Sequence, residues 1–157
     1  MNTMKRRTFL KGTLASGVVA VAAGSGLLRP TEALAAAWPK SAFKSKTVAQ
    51  AMKSLYGSSS ASSSKAIKIK APIQAENGSV VPISVSTTLP KVQGIGVLVE
   101  KNPVPLATAV TMTGAAGFYS ARIKMGKTSP IRVVVKSGGK LHMAKKTIKV
   151  TVGGCGG

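Results

Sequence analysis

Between Thr47 and Tyr56 the apolar residues Val48, Ala51, Met52 and Leu55 recur at i, i+3, i+4 and i+7, which places them on one face of a short amphipathic helix. Thr47 stands where an N-cap hydroxyl is wanted, and Gly57 where a helix commonly stops. The segment Gly57 to Ser64 is nearly all serine and reads as a flexible linker, so the helix is expected to pack loosely or to serve an interface.

Beyond Ser64 the period shortens to two. Short runs follow at Ala66 to Ala71, Val80 to Thr88, Ile95 to Lys101, Leu106 to Met112, Phe118 to Met125, Ile131 to Ser137 and Lys140 to Val152. Turn signals separate them at Asn77-Gly78, Leu89-Pro90, Asn102-Pro103, Gly114 to Gly117, Gly126 to Pro130 and Gly138-Gly139. Ile67-Lys-Ile-Lys70, Ile83-Ser-Val-Ser-Thr87 and Ile148-Lys-Val-Thr-Val152 each alternate between an apolar and a wet face. Seven strands so punctuated predict an all-β domain, an antiparallel β-sandwich over residues 66–152. Ala144-Lys145-Lys146 is a candidate bend in the long last run. No cysteine pair is available for a disulfide between the sheets.

The first 35 residues follow a different grammar. Lys5-Arg6-Arg7-Thr8-Phe9-Leu10-Lys11 precedes a Gly/Ala-diluted apolar run from Gly12 to Leu28 and then Ala33-Leu34-Ala35. Paired arginines before such a run point to a cleaved twin-arginine export signal, with cleavage after Ala35 or Ala37 and delivery to the periplasm. The expected organisation is therefore signal 1–35, helix and Ser-rich linker 36–65, sandwich 66–152 and a terminal arm 153–157. Removal of the signal takes away five basic residues and Glu32; of 23 basic and 3 acidic side chains, 18 and 2 remain, a net charge of +16. Aspartate is absent, and Glu76 and Glu100 are the mature acidic side chains. An exported chain without lysine runs and interleaved aromatics is not expected to bind nucleic acid. Attraction of small oxyanions, steering toward acidic proteins and solubility all remain open as uses of the charge.

Little conventional chemistry is available. A Ser/His/Asp triad is excluded without aspartate, and Glu76, Glu100 and His142 are too scattered to suggest acid-base work. His142 reads as an exposed or edge-strand residue. Asn77-Gly78 reads as a hairpin turn that uses positive φ angles. Gly94-Ile95-Gly96 lacks the rest of a dinucleotide fingerprint and falls in a strand. Neither a metal nor a cofactor is expected, and Met52, Met112 and Met125 read as core fillers.

What remains is the ending, Gly153-Gly154-Cys155-Gly156-Gly157. The chain's single cysteine cannot form an internal disulfide, so in an oxidising compartment it is free, paired between chains or chemically loaded. Glycines on both sides remove nearby Cβ atoms and allow entry into a narrow slot. An unperturbed thiol, with pKa about 8.5, is only a few per cent thiolate near neutrality. The terminal carboxylate raises that pKa and the basic domain lowers it, so activation is expected to come from each partner's pocket.

This ending, together with Ala71-Pro-Ile-Gln-Ala-Glu-Asn-Gly78, Val80-Val-Pro-Ile83 and Val99-Glu-Lys-Asn-Pro103, resembles the SoxY family of sulfur carriers in bacterial thiosulfate oxidation. The similarity covers nearly the whole mature chain. It implies an immunoglobulin-like sandwich that pairs with SoxZ and carries sulfur intermediates covalently on Cys155, with Gly153, Gly154, Gly156 and Gly157 as a swinging arm. It further implies a non-catalytic subunit whose adduct is made by the SoxAX cytochrome, hydrolysed by the manganese enzyme SoxB and, where present, oxidised by SoxCD. The strong positive charge is a departure that the resemblance does not require. Two other readings compete. One is a Gly-Gly thiocarboxylate carrier using Gly156-Gly157, which needs ATP-dependent activation; the other is a copper-binding module using His142, Met143 and Cys155.

Overall fold

The computed structural model describes residues 39–151. The export signal, Gly153 and Gly154, Cys155, and Gly156 and Gly157 lie outside the described residues. Two helices, α1 (Lys40–Lys44) and α2 (Val48–Tyr56), precede nine strands. These are β1 (Ser62–Ser63), β2 (Ile67–Lys70), β3 (Gln74–Ala75), β4 (Val81–Thr87), β5 (Val92–Val99), β6 (Leu106–Thr111), β7 (Phe118–Ile123), β8 (Ser129–Ser137) and β9 (Lys140–Val150). No helix among the described residues is long and apolar enough to cross a membrane.

The fold is the expected β-sandwich. One sheet runs β1-β9-β8-β5-β6 with β3 also on β9; the other runs β2-β4-β7. Alternation along the strands fills the space between them: Ile83 and Val85 from β4 meet Ile95, Val97, Ile131, Val133, Val135 and Ile148, all buried. Six of the seven anticipated runs match within a few residues, while β5 starts three residues earlier than expected, at Val92.

Three features depart from the sequence reading. First, β1 and β3 pair parallel to β9, through Ser62↔His142 and Gln74↔Lys149, so the sheet is mixed and the serine segment is partly strand. Ser64 N–H continues that pairing onto the Met143 carbonyl at 2.9 Å. Second, β9 does not bend at Ala144-Lys145-Lys146; its register with β8 is continuous from Ser129↔Ile148 to Ser137↔Lys140. Gly138 and Gly139, at φ 53° and 78°, make the tight turn that fixes this register.

Third, the helix does not pack loosely. Thr47 Oγ1 accepts from Gln50 N–H at 3.2 Å and Gly57 closes the other end at φ 79°, as the pattern predicted. Ala51 and Met52, with Ala42 from α1, then bury completely against Leu98, Leu106 and Val134 on the outer face of the larger sheet. Gly96 permits the approach. A Cβ there would lie 2.6 Å from the Tyr56 hydroxyl and 3.4 Å from Leu55 Cδ2. That hydroxyl is buried and has no hydrogen-bond partner among the described residues, and burial raises its pKa.

Candidate functional site

The sequence points to the C-terminal arm, and the fold builds the place from which it departs. Strand β9 leads there, held along its length by β8. At its end the backbone is fixed from two sides. Val150 N–H donates to Thr128 Oγ1 at 2.9 Å, from the loop before β8. On the opposite side Lys149 N–H donates to the Ile73 carbonyl at 2.9 Å and Thr151 N–H to the Ala75 carbonyl at 3.1 Å, while the Thr151 hydroxyl reaches the same carbonyl at 3.3 Å.

Asn77-Gly78 closes this anchorage and is not a hairpin. It joins β3 to β4, which lie in different sheets. Asn77 Oδ1 accepts from Ser79 N–H at 2.8 Å, a local side-chain turn. Gly78 is absent from the positive-φ glycines, so its conformation is not the reason for glycine. Space is: a Cβ would overlap the Met125 carbonyl oxygen and lie 2.9 Å from Val150 Cγ1. A groove of about 270 Å³ opens beside the anchored end, lined by Glu76, Asn77, Ser79, Lys124, Val150 and Thr151.

Cys155 follows Thr151 by four residues. At no more than about 3.6 Å per residue, its Cα is held within about 14 Å of the Thr151 Cα. Chain length alone thus keeps Cys155, the expected attachment point, within that distance of this corner of the sandwich.

The other titratable residues are not brought together. Glu76 is exposed on the groove. Glu100 sits on the outer face of the larger sheet, where its Oε1 accepts from Arg132 Nη2 at 2.8 Å and Nε at 3.1 Å and pairs with Lys145 Nζ at 3.3 Å. Partial burial pushes its pKa up, but the hydrogen bonds and charges of Arg132 and Lys145 outweigh this and hold the carboxyl below its ordinary range. Arg132 Nη1 also touches Met52 Sδ at 4.0 Å, which ties the pair to α2. This is a structural network.

His142 is half-buried, not exposed, and β1 covers the strand beside it, so it is not on an open edge. Successive strand residues point to opposite faces. Met143 packs with the helix-side cluster, so His142 and Met143 face apart and do not form a paired soft-ligand site. Among the described residues no cluster of three or more His, Cys, Asp or Glu side chains could hold a metal ion.

The sequence model of the family described as "Sulfur oxidation protein SoxY" matches residues 52–155. The chain belongs to the SoxY family. The match begins at Met52 of α2, spans the whole sandwich and ends on Cys155. A solved structure described as the sulfur carrier protein SoxY from Chlorobium limicola f thiosulfatophilum is similar at 35% identity and a TM-score of 0.62. It aligns over 73% of this chain and 100% of its own. Two superoxide reductases, the neelaredoxin of Ignicoccus hospitalis and a putative one from Thermotoga maritima, align at 20% and 13% identity with TM-scores of 0.48. Their alignments cover 54% and 59% of this chain and 80% and 88% of theirs, and at that distance they say nothing about function. No curated protein matches the chain.

Proposed function

We propose that the chain is a non-catalytic sulfur carrier in thiosulfate oxidation, exported to the periplasm by the twin-arginine route, with Cys155 as the covalent attachment point. The observation that carries the reading is the immobilised root: Val150 and Thr151 are pinned to Thr128 and Ala75, and the chain's single cysteine follows four residues later in a run of glycines. Membership of the SoxY family and the likeness to a sulfur carrier protein support it.

A fixed root with a short tether converts each encounter with an enzyme into a local reaction of the thiol, because docking supplies a high effective concentration. Loading joins the Cys155 sulfur to the sulfane sulfur of thiosulfate; the thiol loses its proton and two electrons pass to the cytochrome partner, SoxAX. Hydrolysis by SoxB then cleaves the S–S bond to the sulfonate group, with water supplying the oxygen, and leaves a persulfide (–S–SH) on Cys155 with release of sulfate and one proton. SoxCD, where present, oxidises the remaining sulfane. SoxZ is the proposed co-subunit.

The test is intact-mass analysis after incubation with thiosulfate and the partner enzymes. A thiosulfonate or sulfane mass that a thiol reductant removes, and that Cys155→Ser abolishes, is the expected result. A thiol that stays free throughout overturns the reading, and loss of loading on deletion of Gly157 alone favours a terminal thiocarboxylate instead.

A further inference from the structure

The two outer faces of the sandwich are treated differently. Helices cover that of the larger sheet, whereas no described element covers that of β2-β4-β7. The register arranges this open face in rows: Lys68 beside Ser86 and Phe118, Lys70 beside Ser84 and Ser120, and Pro82 beside Arg122. Lys68, Lys70 and Arg122 are exposed and take part in no ion pair among the described residues. The acidic side chains among the described residues lie elsewhere, Glu100 bound to Arg132 and Lys145 and Glu76 on the groove at the arm's root.

We propose that this face is a transient docking surface for an acidic protein. The proposal rests on the carrier reading, since a carrier must meet several enzymes in turn. The centre of the face is flat, because its serines are short and Ser84 and Ser120 hydrogen-bond to each other at 3.1 Å. Cations therefore stand at both sides of a hydroxyl strip, on strands about 10 Å apart. A recess of about 390 Å³ opens at one corner between Lys70, Ala71, Pro72, Pro82 and Ser84. Its mostly apolar lining, with Lys70 among it, suits a glutamate or aspartate side chain with its methylenes against the prolines. Phe118, 58% exposed at the end of the first row, adds an apolar contact. Permanent interfaces have cores depleted of charge, whereas a polar and charged face of this kind suits a short-lived, electrostatically steered encounter. A small anion finds no buried donor here, and a nucleic acid would find the single exposed ring of Phe118 where successive bases need a series of stacking platforms.

The experiment uses the mature chain carrying Cys155→Ser, so that binding is read without sulfur chemistry. Association with each proposed partner enzyme is measured by biolayer interferometry at low and high salt. K68E/K70E/R122E is expected to lower the association rate with at least one partner by about tenfold or more at low salt, with the difference lost at high salt. K68Q/K70Q/R122Q is expected to fall between. K46E/K53E/K101E changes net charge equally on exposed positions away from the face and is expected to alter the rate less than about threefold. An equal fall in both charge-reversed sets, no fall in the first with any partner, or tighter face-dependent binding of a short DNA duplex overturns the proposal. Failure of the carrier reading shows separately, as the absence of a Cys155 adduct in the unmodified chain.

Discussion

Gly96→Ala, Tyr56→Phe and their combination measure how closely α2 is seated on the larger sheet. A Cβ at residue 96 would lie 2.6 Å from the Tyr56 hydroxyl oxygen, about 1 Å inside an ordinary contact of roughly 3.5 Å. The tyrosine is a stiff ring at the end of a helix whose Ala51 and Met52 are fully seated, so relief requires α2 to lift. Overpacking of this kind costs about 1–3 kcal/mol. Tyr56→Phe removes a buried hydroxyl that has no partner among the described residues, and should stabilise by about 1 kcal/mol. With the hydroxyl gone, the nearest remaining ring atom, Tyr56 Cζ, is 3.5 Å from the new methyl, an ordinary contact. The double variant is therefore expected to be at least as stable as the parent, with a coupling energy of about 1.5–3 kcal/mol. Urea unfolding followed by circular dichroism reads this as a fall in midpoint of about 1 M for Gly96→Ala, recovered in the double variant at constant m. Additive effects, with coupling below about 0.5 kcal/mol, would refute the docking geometry.

Replacing Glu100 by Gln should cost about 1 kcal/mol at neutral pH, because Arg132 and Lys145 lose a charged acceptor. The folded carboxyl has a lowered pKa, so its stabilisation is complete above the unfolded glutamate pKa of about 4.3 and fades as pH falls through the folded value. Chemical unfolding across acidic pH should accordingly show a shallower loss of stability in Glu100→Gln than in the parent. Thr128→Val keeps the shape of the side chain but removes the oxygen that accepts from Val150 N–H, and should cost about 1 kcal/mol. Amide exchange at Val150 and Thr151 should quicken while β8 and the first half of β9 stay protected. Gly78→Ala forces overlap with the backbone at Met125 and should cost about 2–3 kcal/mol, read as a lower thermal midpoint.

What was legible in the sequence was local or periodic. Thr47 and Gly57 mark the ends of α2 because capping is settled within a few residues, and alternation located the long strands because each buries one face. Helix α1 has only five residues and no periodic signal long enough to detect. Strands β1 and β3 are two residues each and exist because β9 offers them an edge, a long-range fact with no local signature. Gly78 was read through backbone freedom and Gly96 was given no role once a ligand motif was set aside, yet both are glycine because another part of the chain comes too close for a Cβ. The Glu100 and Arg132 pair spans 32 positions, which no spacing rule anticipates. For the proposed carrier arm, Cys155 was singled out by its being unique and by its glycine frame. The anchorage of its root by Thr128 and Ala75 came from the fold alone.

That anchorage also has a mechanical side. Strand β9 is joined to β8 by nine successive register pairs, with Gln74-Ala75 alongside its last residues, Lys149 and Val150, at the end away from the β8–β9 turn. A pull along the strand from the C-terminal end loads these bonds together, in shear, instead of opening them one at a time like a zipper. An enzyme that draws the terminal cysteine into a deep channel would therefore be working against a tow-point whose load is shared by the whole sheet.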